Sequence, residues 1–148
     1  MSAPVEYRHE YVTGAIAVAA ESFPVLIVVR VVNRGGSPGR ARVRVWNEHL
    51  LLPESEDGQV EPDGVWPYDA PAVELQGIDA KENSIWVQIR TTLPELVPTL
   101  SFQETVRSPE GEVEGVRESH FFAPGDFASF DLHPAPFHPP LQPPVDAP

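Results

Sequence analysis

Val25-Leu26-Ile27-Val28-Val29-Arg30-Val31-Val32-Asn33 runs into Arg34-Gly35-Gly36-Ser37-Pro38-Gly39, and Arg40-Ala41-Arg42-Val43-Arg44-Val45-Trp46 follows. The first segment is β-branched and apolar on both faces, which suits a strand in the middle of a sheet. The last alternates, with Val43 and Val45 on one face and Arg42, Arg44 and Trp46 on the other, as a half-buried strand does. A cluster of turn formers stands between them. Strand, glycine-rich turn, strand predicts a β-hairpin.

The same signal recurs on both sides. Tyr11 to Ala20 alternates, with Val12, Ile16 and Val18 sharing one face. Ser84 to Arg90 sets Ile85, Val87 and Ile89 inward against Trp86, Gln88 and Arg90 outward. Thr99 to Val106 places Leu100 and Phe102 opposite Ser101 and Gln103, and Val116 to Phe122 reads as extended. Phe127 to Leu132 closes the pattern through Phe130 and Leu132. Ser108-Pro109-Glu110-Gly111 suits a type I turn and Pro124-Gly125 a type II turn. Thr92-Leu93-Pro94-Glu95 has the form of a capping box, but Pro98 limits any helix to a single turn. With no amphipathic helix, about seven or eight strands predict an antiparallel two-layer β-sandwich rather than a helix-backed sheet.

Between Leu50 and Gln76 the alternation dissolves. Residues 54–82 carry nine acidic side chains against Lys81 alone, and Pro53, Pro62, Pro67 and Pro71 interrupt the stretch. The expectation is a long acidic loop excursion with one short strand near Ala72 to Leu75. Seven of the 18 prolines fall between Pro134 and Pro148. Residues 1–133 are therefore expected to form the sandwich. Residues 134–148 should form a proline-rich extended tail anchored by Phe137 and Leu141.

At 148 residues and 41% hydrophobic content, the chain has material for one core. A net charge of −12 argues against nucleic acid, which demands a basic surface, and against anionic membranes. The chain has no cysteine, which rules out disulfides and thiolate chemistry. The segment Met1 to Glu10 lacks the basic-then-apolar layout of a signal peptide, and the longest apolar run, Pro24 to Val32, is broken by Arg30. A cytoplasmic location without a membrane partner is expected. Nine arginines against one lysine suggest a GC-rich bacterial genome.

Val28-Val29-Arg30-Val31-Val32-Asn33-Arg34-Gly35-Gly36 followed by Ala41 to Trp46 resembles the strand, Asn-x-Gly, strand signature of CARDB-like and related immunoglobulin-like modules. Ala123-Pro124-Gly125-Asp126 before a last alternating strand is similar to their usual ending. The resemblance spans about a third of the chain. It implies an immunoglobulin-like sandwich with a binding or structural role rather than catalysis. The long acidic excursion departs from the compact pattern of those modules, and the cysteine–tryptophan–cysteine mark of antibody domains is absent.

Gly35-Gly36-Ser37-Pro38-Gly39 contains the letters G-x-S-x-G of a nucleophile elbow. The elbow needs a helix after its serine, and a strand follows here. It also needs a backbone N–H on the next residue, which is Pro38. A turn is the better reading. His9, His49, His120, His133 and His138 show no i, i+4 pair, so surface or rim positions outweigh a metal site. Glu54-Ser55-Glu56-Asp57-Gly58 misses the calcium-loop register, and a solvated acidic loop outweighs calcium. No catalytic residue, metal or cofactor is expected.

One surface stands out. Arg42, Arg44 and Trp46, with Trp86, Gln88 and Arg90, lie opposite the apolar residues of their strands. On neighbouring strands they make a flat patch of indole, guanidinium and amide, suited to a protein contact or a sugar ring. The competing expectation is that the acidic excursion folds back over the indoles. The sequence thus leads to a non-enzymatic β-sandwich interaction or structural module that binds a protein partner or associates with itself. A carbohydrate-binding module on the same face is the alternative.

Overall fold

The computed structural model describes residues 5–52 and 56–132, with backbone alone at 56 and 57. The expected tail at 134–148 and its anchors Phe137 and Leu141 lie outside the described residues, as does Glu54. Eleven strands are described: β1 His9–Val12, β2 Ile16–Ala19, β3 Val25–Asn33, β4 Gly39–Asn47, β5 Leu50–Leu51, β6 Glu56–Val60, β7 Val65–Asp69, β8 Glu82–Thr91, β9 Leu96–Arg107, β10 Val113–Phe122 and β11 Ala128–Asp131. Two short 3-10 turns, Ala20–Ser22 and Pro124–Asp126, are the helical elements among the described residues. None of these is long and apolar enough to cross a membrane.

The strands form two antiparallel sheets. Sheet A runs β11-β1-β8-β4-β5, with β2 also on β8 and β6 also on β4, and sheet B runs β10-β9-β3-β7. Inward side chains close the core between them. Val25, Ile27, Val29 and Val31 of β3 and Leu100 and Phe102 of β9 meet Val43 and Val45 of β4 and Ile85, Val87 and Ile89 of β8. The all-β sandwich expected from alternation is what the chain forms.

Several local expectations need correction. The glycine-rich turn does not close a hairpin: β3 lies in sheet B and β4 in sheet A, so the segment arches across the core. The buried Asn33 holds the arch. Its Nδ2 donates to the carbonyls of Ser37 at 2.8 Å and Val60 at 3.0 Å, and its Oδ1 accepts from Gly35 N at 2.8 Å. The strand expected over Tyr11 to Ala20 is two strands on one neighbour. Val12 faces Gln88 whereas Ile16 faces Ile85, a one-residue change of register that turns Val12 outward and Ile16 inward.

The acidic stretch also carries its strands elsewhere than expected. Glu56–Val60 pairs with Gly39–Val43 at the edge of sheet A, and Val65–Asp69 pairs with Val28–Val32 at the edge of sheet B. Near Ala72 to Leu75 there is only a single bridge, Val25 to Val73. Pro67 is tolerated because an edge strand has no partner on its outer side. Trp66 packs against the core and Tyr68 is buried in it, stacked at 5.7 Å and 22°. At the other flank β10 passes into β11 through Pro124–Asp126, changing sheets. Phe127, not Phe130, is the buried aromatic there. It packs on Tyr11 at 5.9 Å and Phe122 at 5.3 Å, while Phe130 is exposed.

Candidate functional site

The six residues singled out from sequence stand together on the outer face of sheet A. Strands β4 and β8 are direct neighbours, and their register sets Arg42 against Arg90, Arg44 against Gln88 and Trp46 against Trp86. All six are half-buried. The residues between them, Ala41, Val43 and Val45 of β4 and Ile85, Val87 and Ile89 of β8, are buried in the core, which fixes the opposite parity outward.

The two indoles stack face to face, with ring centroids 3.9 Å apart and planes 3° from parallel. Cross-strand aromatic pairs of this kind stabilise a sheet by up to about 1 kcal/mol. Leu51 lies beyond Trp46 in the register of β5 and is exposed, as is its neighbour Leu50. On the far side of Trp86 the chain passes through Gly14 and Ala15, between Val12 opposite Gln88 and Ile16 opposite Ile85. Gly14 itself carries no side chain, and a Cβ built there would find nothing within 4 Å.

Like charges directly opposite would destabilise the Arg42–Arg90 pair, and each has a counterpart. Arg90 Nε donates to Glu10 Oε1 at 2.8 Å, and the Arg42 guanidinium sits 4.9 Å from the centre of the Tyr7 ring. In the middle of the face, Arg44 Nε and Gln88 Oε1 are shielded from water without a hydrogen-bond partner. Polar atoms in that state have lost hydration and gained nothing in exchange, a cost of about 1–3 kcal/mol each. Of the acidic stretch, Glu56–Val60 runs beside β4 at the edge of sheet A, with Asp57 in register with Arg42, and Val65–Asp69 forms an edge strand of sheet B.

Sequence reasoning passed over Trp66 and Ile78. Trp66 bridges the sheets across β6, and its signal was the glycine beneath it: a Cβ on Gly58 would lie 2.2 Å from Trp66 Nε1. Ile78 is 99% exposed on the β7–β8 connection, where no periodicity marks it. Of the histidines, His120 sits at the rim 3.8 Å from the buried Glu104, and Arg117 approaches the same carboxylate at 3.5 Å. Burial pushes the Glu104 carboxyl up, but the Ser119 and Ser22 hydroxyls and the Arg117 guanidinium outweigh it and hold the pKa below its ordinary value. This cluster is internally compensated. Among the described residues no three His, Asp or Glu side chains gather as metal ligands. No family model, curated protein or solved structure matches the chain.

Proposed function

We propose that the chain is a non-enzymatic, immunoglobulin-like β-sandwich module that binds protein, a second copy included, through the outer face of sheet A. The path β3 to β4 to β6, from one sheet to the other and on to its edge, with β8 beside β4, supports the immunoglobulin-like assignment. The crossing from β8 in sheet A to β9 in sheet B is this chain's own variation.

The indole pair carries the functional reading. Each ring gives one face to the other, so the pair offers edges and single flanks rather than two flat platforms. That shape suits an apolar anchor in a protein contact, ringed by Arg42, Arg44 and Gln88, better than it suits a stacked sugar. The half-buried Arg44 and Gln88 side chains favour the same view, because an incoming peptide brings carboxylates for a guanidinium and N–H donors for an amide oxygen.

The carbohydrate reading draws on the half-buried Trp86 indole two residues from the Gln88 amide on the same face. A displayed peptide library selected on the wild-type protein and on Trp86→Ala separates the two. Peptides enriched by the wild type and lost by the variant are the expected result. No indole-dependent peptide, together with a tryptophan-fluorescence shift on glycan titration, would hand the face to carbohydrate.

A further inference from the structure

The connection between β7 and β8 presents an isoleucine to water on a stiff support. Ile78 is 99% exposed, at the tip of a tight turn in which Ala80 N donates to Gly77 O at 3.3 Å and Gly77 takes φ +97. The buried Asn83 grips the base of the turn from both sides. Its Oδ1 accepts from Gln76 N at 2.6 Å and its Nδ2 donates to Gln76 O at 3.1 Å. Asn47 Nδ2 ties Glu74 O at 2.8 Å. A large apolar side chain held fully in water by a structured turn gains free energy only when something covers it.

The turn and the indoles share one end of the sandwich. Asn47 directly follows Trp46, and Asn83 lies three residues before Trp86. Their chemistries are complementary. Glu74, Asp79 and Glu82 lie within four residues of Ile78 in the chain, against one Lys81, while the outer face carries Arg40, Arg42 and Arg44 in file beside the apolar row Leu51–Trp46–Trp86. An apolar knob flanked by carboxylates fits an apolar row flanked by guanidiniums. Because knob and face lie at the same end of each molecule, a twofold axis lets two copies exchange them reciprocally.

We propose, resting on the reading of sheet A as a protein-binding face, that the chain forms a symmetric dimer. The Ile78–Asp79 turn of each copy docks on the Trp46/Trp86 row of the other, with Asp79 against Arg44. The carboxylate gives the half-buried Arg44 guanidinium a counter-charge across the interface. The association weakens as salt rises, because charge complementarity steers it.

Sedimentation velocity on the full chain over a concentration series tests this. A concentration-dependent dimer is expected, with Ile78→Ser and Arg44→Glu each raising its Kd at least about tenfold. Arg44→Glu combined with Asp79→Arg should recover the dimer. Ile78 touches no core residue, so an unchanged circular dichroism melt in Ile78→Ser shows that folding is intact. A monomer throughout, or a dimer indifferent to Ile78→Ser, overturns the proposal. If the chain stays monomeric yet still enriches peptides dependent on Trp86, the face binds protein but this partner is wrong. If neither occurs, the functional reading falls with it.

Discussion

Gly58 has no side chain because Trp66 occupies the place one would take. A Cβ built there lies 2.2 Å from Nε1 and 2.5 Å from Cε2 of the indole, closer than any packed contact. Trp66 in turn belongs to an edge strand of sheet B and Gly58 to an edge strand of sheet A, so this one absence lets the sheets close along that flank. Gly58→Ala is expected to destabilise the domain by about 1–3 kcal/mol, the usual cost of overpacking. Urea unfolding measures it. Gly14→Ala is the control: with nothing within 4 Å of the new methyl group, it should leave the midpoint unchanged or raise it slightly.

Single strands were legible in the sequence wherever side-chain alternation was clean, because inward parity is a local property. Ile85, Val87 and Ile89 could be placed inward, and Trp86, Gln88 and Arg90 outward, from their spacing alone. Which strand lies beside which was less legible. Arg34 to Gly39 reads as a hairpin turn, yet it arches between sheets, held by the hydrogen bond from Asn33 to Val60, a residue 27 positions away, which no local pattern announces. Strands β6 and β7 were hidden by acids and Pro67, which an exposed edge accepts and a central strand does not. The Trp46–Trp86 face emerged because both strands alternate cleanly and happen to be neighbours.

At this scale β9 and β10 support a test through Glu104, a carboxylate 6% exposed between the layers. Its pKa in the folded chain lies below the ordinary value of 4.5, since hydroxyls and Arg117 outweigh burial. The charged form is therefore favoured by folding. The resulting stability is complete above the ordinary carboxylate value and is lost as pH falls through the folded one. Glu104→Gln should be less stable than wild type at neutral pH, on the order of 1 kcal/mol. The gap should narrow on acidification below pH 4.5. Urea midpoints over a pH series measure it, and a gap that stays constant would show that the carboxylate charge is not what stabilises this strand pair.

Across the whole molecule, the chain passes between sheets at β2–β3, β3–β4, β6–β7, β7–β8, β8–β9 and β10–β11. Few consecutive strands share a sheet, so neither layer can assemble from a continuous piece of chain. The core is likewise common property, since the buried apolar residues of both sheets belong to one cluster. Two sheets built this way should unfold together. In a Trp66→Phe variant, whose remaining indoles are Trp46 and Trp86, fluorescence reports on sheet A, while far-ultraviolet circular dichroism reports on all strands. Their urea transitions are expected to coincide in midpoint and slope. If fluorescence changed first, sheet A would be opening while sheet B remained, and the six crossings would not be coupling the layers as the shared core requires.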